Sequence, residues 1–133
     1  NSYGPGETIG SVHISVPDSM TMAEVHPLTK GIAVHLYKKF DINMTVGVYA
    51  ENKPSVEVLE IRKALDQVIS LYTHVVQVHA FYVQEEKKVI YYDIIFDFDE
   101  EDPHSTLEKI KTEMQKRYPD YTQFAIVDTD FSN

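Results

Sequence analysis

Residues 76–98, VQVHAFYVQEEKKVIYYDIIFDF, decide the fold, because two apolar segments here are separated by a short polar run. In the second segment Ile90, Tyr92 and Ile94 alternate with the residues of another face, which is the period of a strand. The run QEEKK between the segments is typical of a tight connection. We therefore predict an antiparallel hairpin of strands 76–84 and 89–98.

A helix is predicted on each side of this hairpin. Ser55 is a suitable N-cap for a helix that we expect to end near His74, and Asp102 with Pro103 begins another. A last strand is expected over 122–130. Both helices have apolar residues at intervals of three and four, namely Val58, Ile61, Leu65, Val68, Ile69 and Tyr72 in the first and Leu107, Ile110, Met114 and Tyr118 in the second.

The N-terminal part contains a shorter pattern of the same kind. Alternation predicts strands over 9–17 and 43–50, and helical spacing predicts a helix from about Met22 to Phe40. Thr21 and Glu24 have the spacing of a capping box. Pro27 lies six residues into the helix, so we expect either a kink there or a start nearer Glu24.

The complete order is β-α-β-α-β-β-α-β. Its last six elements have the βαββαβ order of a ferredoxin-like fold, an α/β (α+β) two-layer sandwich with its helices on one face of the sheet. The chain has 133 residues, of which 43% are hydrophobic, enough for one compact unit with its own core.

Composition excludes several classes of function. The formal net charge of -9 argues against nucleic-acid binding and favours cations as partners. The chain has no cysteine, so any metal needs His and carboxylate ligands, and the sequence contains no apolar run long enough to span a membrane. Because it begins NSYGPGE and not with Met, we expect either a processed chain or a piece of a longer protein, and we favour the second.

The predicted sheet has an outer face that mixes apolar, aromatic and charged residues. We expect the helices to cover Ile90, Tyr92, Ile94, Phe96 and Phe98, with Ala125, Val127 and Phe131. A face of mixed character is usually covered, and a second copy of the chain is the simplest cover, so we predict a homodimer. The outer residues are then Gln77, His79, Phe81, Val83, Val89, Tyr91, Asp93, Ile95, Asp97, Phe124, Ile126, Asp128 and Asp130.

Histidines and carboxylates are the candidates for chemistry. A crossover from strand to helix permits His13 and His26 to meet, although on pattern alone two separate surface or capping histidines are the favoured interpretation. The run DFDEEDPH, which ends at His104, is typical of a solvated loop before a helix. Asp128 and Asp130 share a face, where solvent, a proton or a cation must relieve their repulsion. We interpret His35 and His74 as ordinary helix-surface residues.

No enzyme is predicted. The sequence has no cysteine nucleophile, G-x-S-x-G elbow, P-loop or dinucleotide fingerprint. Carboxylates and histidines can act as general acids and bases, but the pattern implies no substrate pocket and no organic cofactor.

Residues 3–29, YGPGETIGSVHISVPDSMTMAEVHPLT, resemble the cytoplasmic C-terminal domain of metal transporters of the cation diffusion facilitator (cation efflux) family. In that family a turn leads into a strand with a histidine, then a turn, then a helix with another histidine near its start, which correspond to His13 and His26. The family has an H-x-D-P segment on the next strand. This chain has Tyr49 and Glu51 at those positions.

The chain from about residue 55 resembles the same domain again. VVQVHAFYV is similar to the family's first hairpin strand, VIYYDIIFDF to the second, DPHSTLEKI to the helix and AIVDTDFS to the last strand. The resemblance thus implies two domains, a truncated ferredoxin-like copy (1–52) and a complete copy (53–133), packed as one compact unit.

The resemblance further implies a dimerisation and metal-sensing domain at the cytoplasmic face of the cell membrane, attached to a transmembrane domain of the same full-length chain. The metal would be divalent, such as Zn, Mn, Co, Fe, Ni or Cd. A ferredoxin-like regulatory module that binds a small ligand or a partner without metal is the alternative, and a small enzyme of this fold is a third. The implied ligands are His79, Asp93, His104, Asp128 and Asp130, and, in a second site, His13 and His26.

Overall fold

A computed structural model describes residues 8–128 of the chain as a mixed α/β protein with two sheets and three helices. The order of elements agrees with the prediction. The chain divides into two compact units, residues 1–51 and residues 52–133. The elements are β1 (Thr8–Pro17), α1 (Met22–Phe40), β2 (Ile42–Glu51), α2 (Val56–Ile69), β3 (Val75–Gln84), β4 (Val89–Phe96), α3 (Pro103–Arg117) and β5 (Thr122–Asp128).

The first unit is a βαβ arrangement in which β1 and β2 form a parallel pair. The predicted capping box is present, since the Thr21 hydroxyl accepts from the Glu24 N–H and the Glu24 carboxylate accepts from the Thr21 N–H. This cap explains why α1 begins at Met22 although Pro27 lies inside the helix. Val16 on β1 and Val25 on α1 are buried.

The second unit has a three-stranded sheet of order β3-β4-β5, with β3 and β4 antiparallel and β4 and β5 parallel. Its two helices contribute to a single core, which confirms the predicted apolar positions of both. The core residues are Val58, Ile61, Ala64, Leu65, Val68, Val83, Ile90, Tyr92, Ile94, Leu107, Ile110, Met114 and Tyr121.

The pairing of the strands does not confirm the ferredoxin-like order or the tandem copies. Strand β2 pairs with β1 in a sheet of its own, and β5 pairs directly with β4. A split βαβ arrangement instead places another strand between its two parallel strands. Among the described residues, no helix is long and apolar enough to cross a membrane.

The outer face of the hairpin differs from the prediction on β3. The pairing register shifts by one residue between His79 and Tyr82, so β3 has a β-bulge there with two residues opposite one residue of β4. Ala80, within this bulge, has a φ of 56°. Alternation is thereby reset, and Phe81 and Val83 pack against the core instead of facing outward. The placement of both residues on the outer face was therefore wrong.

Two predicted boundaries also differ. Strand β4 ends at Phe96, and Phe98 is 93% exposed, so its predicted position under the helices was wrong. Helix α2 ends at Ile69, where the N–H groups of Leu71 and Tyr72 bond back to residues 68 and 69 in tight turns. Ala125 and Val127 pack against the core as predicted, whereas Phe131 and Asp130 lie outside the described residues.

Candidate metal centre

His74 lies in the turn that joins α2 to β3, directly before the first residue of the hairpin. Because α2 ends at Ile69, His74 is not on a helix surface, and that part of the sequence interpretation was wrong. Val75 is paired with Phe96 in the antiparallel register, which places His74 beside Asp97 at the open end of the hairpin.

The two residues are joined through both backbone and side chain. The Asp97 N–H donates to the His74 carbonyl at 2.9 Å. The His74 Nδ1 atom lies 3.0 Å from Asp97 Oδ1 and 3.2 Å from Oδ2. Both side chains are somewhat more than one third exposed, at 39% and 38%, so the pair is reached by solvent.

Asp99 completes a group of three. Its N–H donates to Asp97 Oδ1 at 2.9 Å, which folds the chain back directly after β4. One ligand atom from each of His74, Asp97 and Asp99 lies within 4.8 Å of the others. This is a histidine and two carboxylates, a donor set suited to divalent transition metals.

The electrostatics of this group favour positive charge. The hydrogen bond to Asp97 raises the pKa of His74, and partial burial opposes that increase. The negative charges of Asp97, Asp99 and Glu100 raise the pKa further. The same carboxylates that hold a proton on the imidazole would attract a cation, so proton and metal compete for Nδ1.

The separation of the His74 and Asp97 ligand atoms is close to that of two ligands of a tetrahedral metal ion. Ligands bound about 2.0–2.2 Å from Zn²⁺ lie about 3.3–3.6 Å apart in a tetrahedron. The His74 and Asp97 atoms are 3.0–3.2 Å apart, which a small side-chain movement would convert to that spacing. Exposure of the group leaves room for water as a further ligand.

The ligands implied by the resemblance are arranged differently. His79 and Asp93 are direct partners on the antiparallel strands β3 and β4, and both are partly buried. Asp128 is paired with Ile95 on β4, two residues farther along, and His104 is exposed as the second residue of α3. Within residues 8–128, none of them belongs to a group of three ligand atoms as close as that of His74. Asp130 lies outside those residues.

His13 and His26 are likewise placed in different surroundings. The His13 ring stacks on the Tyr49 ring, with centroids 5.0 Å apart and planes 5° from parallel, and it covers Gly47. His26 is an exposed residue of α1 whose carbonyl accepts from the Thr29 hydroxyl. Tyr49 thus contacts His13 through its ring.

Periodicity missed His74 because the sequence does not mark the end of α2. The usable signal was the register of the hairpin. Pairing Ile90 with Val83 and Ile94 with Val78 brings His74 opposite Asp97 only when both register shifts of β3 are included, the bulge at Ala80 and a second shift between Val75 and Gln77.

Comparison of the chain with protein-family models, with curated proteins and with solved structures finds no match in any of the three. The resemblance to cation diffusion facilitators therefore depends on the quoted motifs alone.

Proposed function

We propose that this chain is the cytoplasmic regulatory domain of a cation efflux transporter of the cation diffusion facilitator type, and that it senses divalent metal. The observation that supports metal binding is the group of His74, Asp97 and Asp99 at the open end of the hairpin. The transporter context comes from the motifs around His13 and His26.

The three residues have distinct roles in this proposal. The His74 imidazole, once deprotonated, supplies a nitrogen ligand, and Asp97 and Asp99 supply carboxylate oxygens. A bound divalent ion would offset part of the charge of residues 97–102, DFDEED, in which five of six side chains are carboxylates. Because this loop leads directly into α3, it places the charge change at the start of a core helix.

The homodimer is part of the same proposal. A domain whose charge changes on binding metal can shift the position of two protomers relative to each other, which is a signal that attached membrane helices could receive. The ligands implied by the resemblance, which include His79 and Asp93, are the alternative binding site for the ion in this proposal.

Calorimetric titration of the chelator-treated chain with Zn²⁺, and separately with Mn²⁺, tests the proposal. We expect saturable binding that weakens by about tenfold or more in His74→Ala, since one ligand of a small set is removed. His35→Ala is the matched control, because His35 is an exposed histidine of α1 and belongs to no group of ligand atoms in the described residues.

Two other results would redirect the assignment. If His79→Ala weakens binding and His74→Ala does not, the ion binds where the resemblance implies. If neither metal binds, the chain is a regulatory module without metal, and His74 and Asp97 form an ion pair only.

A further inference from the structure

Strand β5 forms one edge of the three-stranded sheet, and this edge lacks the usual protection. Edge strands of natural proteins avoid pairing with other chains by means of lysines, prolines, inward charges or bulges. Residues 122–127 of β5, TQFAIV, include no charged residue and no proline, and Asp128, the last residue of the strand, is its one charged residue. Phe124 and Ile126 are 57% and 59% exposed on its outer face.

The opposite edge is protected in two ways. The bulge at Ala80 interrupts β3 near its middle. The side chain of Asn52 accepts from the Val83 N–H at 2.9 Å and donates to the Val83 carbonyl at 2.8 Å, occupying both groups as a neighbouring strand would. Of the two edges, only that of β5 is open along its described length.

We propose that β5 pairs antiparallel with β5 of a second copy of the chain, about a two-fold axis at Ala125. This deepens the homodimer of the proposed function by naming the element that forms it. Both copies would then contribute to one continuous six-stranded sheet, with an isologous interface.

The sequence of β5 is complementary to itself in this register. Phe124 lies opposite Ile126 of the second copy, an aromatic and aliphatic pair of the kind that stabilises antiparallel strands. Asp128 lies opposite Thr122, so no two carboxylates face each other directly. Phe124 is already oriented by stacking on Tyr91, with ring centroids 5.5 Å apart.

Sedimentation velocity of the full chain over a range of concentrations tests this interface. We expect a dimer for the native chain and about a tenfold or greater weakening in Ile126→Lys, because each protomer then places an ammonium opposite Phe124. Val76→Lys is the matched control. Val76 is 57% exposed on β3, so the variant adds the same charge at a similarly exposed position on the protected strand.

A mixing experiment tests the register itself. Phe124→Glu and Ile126→Lys should each weaken the homodimer. A mixture of the two variants should recover association, since the heterodimer has one Glu opposite one Lys and keeps one native Phe and Ile pair. Circular dichroism of each variant verifies that these exposed substitutions leave the fold intact.

The outcomes separate this inference from the proposed function. A dimer that persists in Ile126→Lys, or that Val76→Lys weakens equally, overturns pairing through β5 but leaves the homodimer standing. A native chain that stays monomeric overturns both. Zinc binding that is unchanged in monomeric Ile126→Lys keeps the metal centre independent of the interface.

Discussion

Two buried tyrosines of the second unit should respond in opposite ways to the loss of one oxygen atom. Tyr92 on β4 is fully buried, and its hydroxyl donates to Gln123 Oε1. The Gln123 Nε2 group donates in turn to the Lys111 carbonyl of α3 at 2.8 Å, so the hydroxyl belongs to a link between sheet and helix. Tyr121 is 5% exposed, and its buried hydroxyl makes no hydrogen bond of good geometry, although it interacts with the Glu57 carboxylate.

The expected magnitudes follow from these contacts. Tyr92→Phe removes a hydrogen bond and leaves Gln123 Oε1 unpaired, which should lower the free energy of unfolding by about 1–2 kcal/mol. Tyr121→Phe removes a hydroxyl whose burial is offset only by its interaction with Glu57, so it should leave the stability unchanged or raise it by up to about 1 kcal/mol. The two variants are matched, because each changes one tyrosine of the same core.

Urea denaturation of the full chain, followed by circular dichroism, measures both changes. The slope with denaturant should be unchanged, so the midpoints report the stabilities directly. Burial, with the nearby Glu57 carboxylate as a smaller cause, raises the pKa of Tyr121 to about 12. The stability that this shift contributes is complete below pH 10 and is lost as pH rises toward 12. A loss of 1 kcal/mol or more in Tyr121→Phe would refute the argument, since it would mean that the hydroxyl makes a full hydrogen bond, with Glu57 or another group.

Three further outcomes are expected. The pKa of His74 is raised in the folded chain, and a proton on the imidazole competes with metal. The Zn²⁺ affinity measured by calorimetry should therefore fall by about tenfold per pH unit below that pKa and be constant above it. An affinity that does not change with pH would exclude the imidazole as a ligand. The His13 ring covers Gly47, so a methyl group added at position 47 would meet it. In urea double-mutant cycles, the change in the free energy of unfolding caused by Gly47→Ala should therefore be about 1 kcal/mol more favourable in the His13→Ala background than in the native chain. Additive effects of the two substitutions would contradict this contact. Ala80→Gly should raise the melting temperature through a gain of about 1 kcal/mol at a positive φ, and an unchanged or lower value would show that the bulge is not strained.

Much of the fold was predictable because burial on one side leaves a period in the sequence. The alternation of Ile90, Tyr92 and Ile94 predicted β4, and all three are fully buried. The Thr21 and Glu24 spacing predicted the start of α1, where local hydrogen bonds decide the boundary. These features depend on contacts between neighbours in sequence or on one dominant core face.

Periodicity could not predict where the alternation of inward and outward residues along a strand is reset. The bulge at Ala80 moves Phe81 and Val83 to the core, and alanine does not mark a left-handed residue as glycine would. The pair of His74 and Asp97, 23 residues apart in sequence, depends on this bulge and on a second register shift between Val75 and Gln77. Two irregularities of one strand, neither of them marked in the sequence, therefore kept the candidate metal centre from being predicted.

If the chain senses metal as proposed, the contact of His74 with Asp97 has a consequence for the kind of signal it would send. Backbone and side-chain hydrogen bonds already hold the two residues together when the imidazole carries a proton. A metal ion that takes the place of this proton would hold the same ends of the hairpin at a similar separation. Exchange of one for the other therefore alters the charge of the acidic loop more than the path of the backbone. A sensor of this kind would act through the electric field of the acidic loop. Ionic strength screens that field, so it would set the distance over which metal binding has an effect.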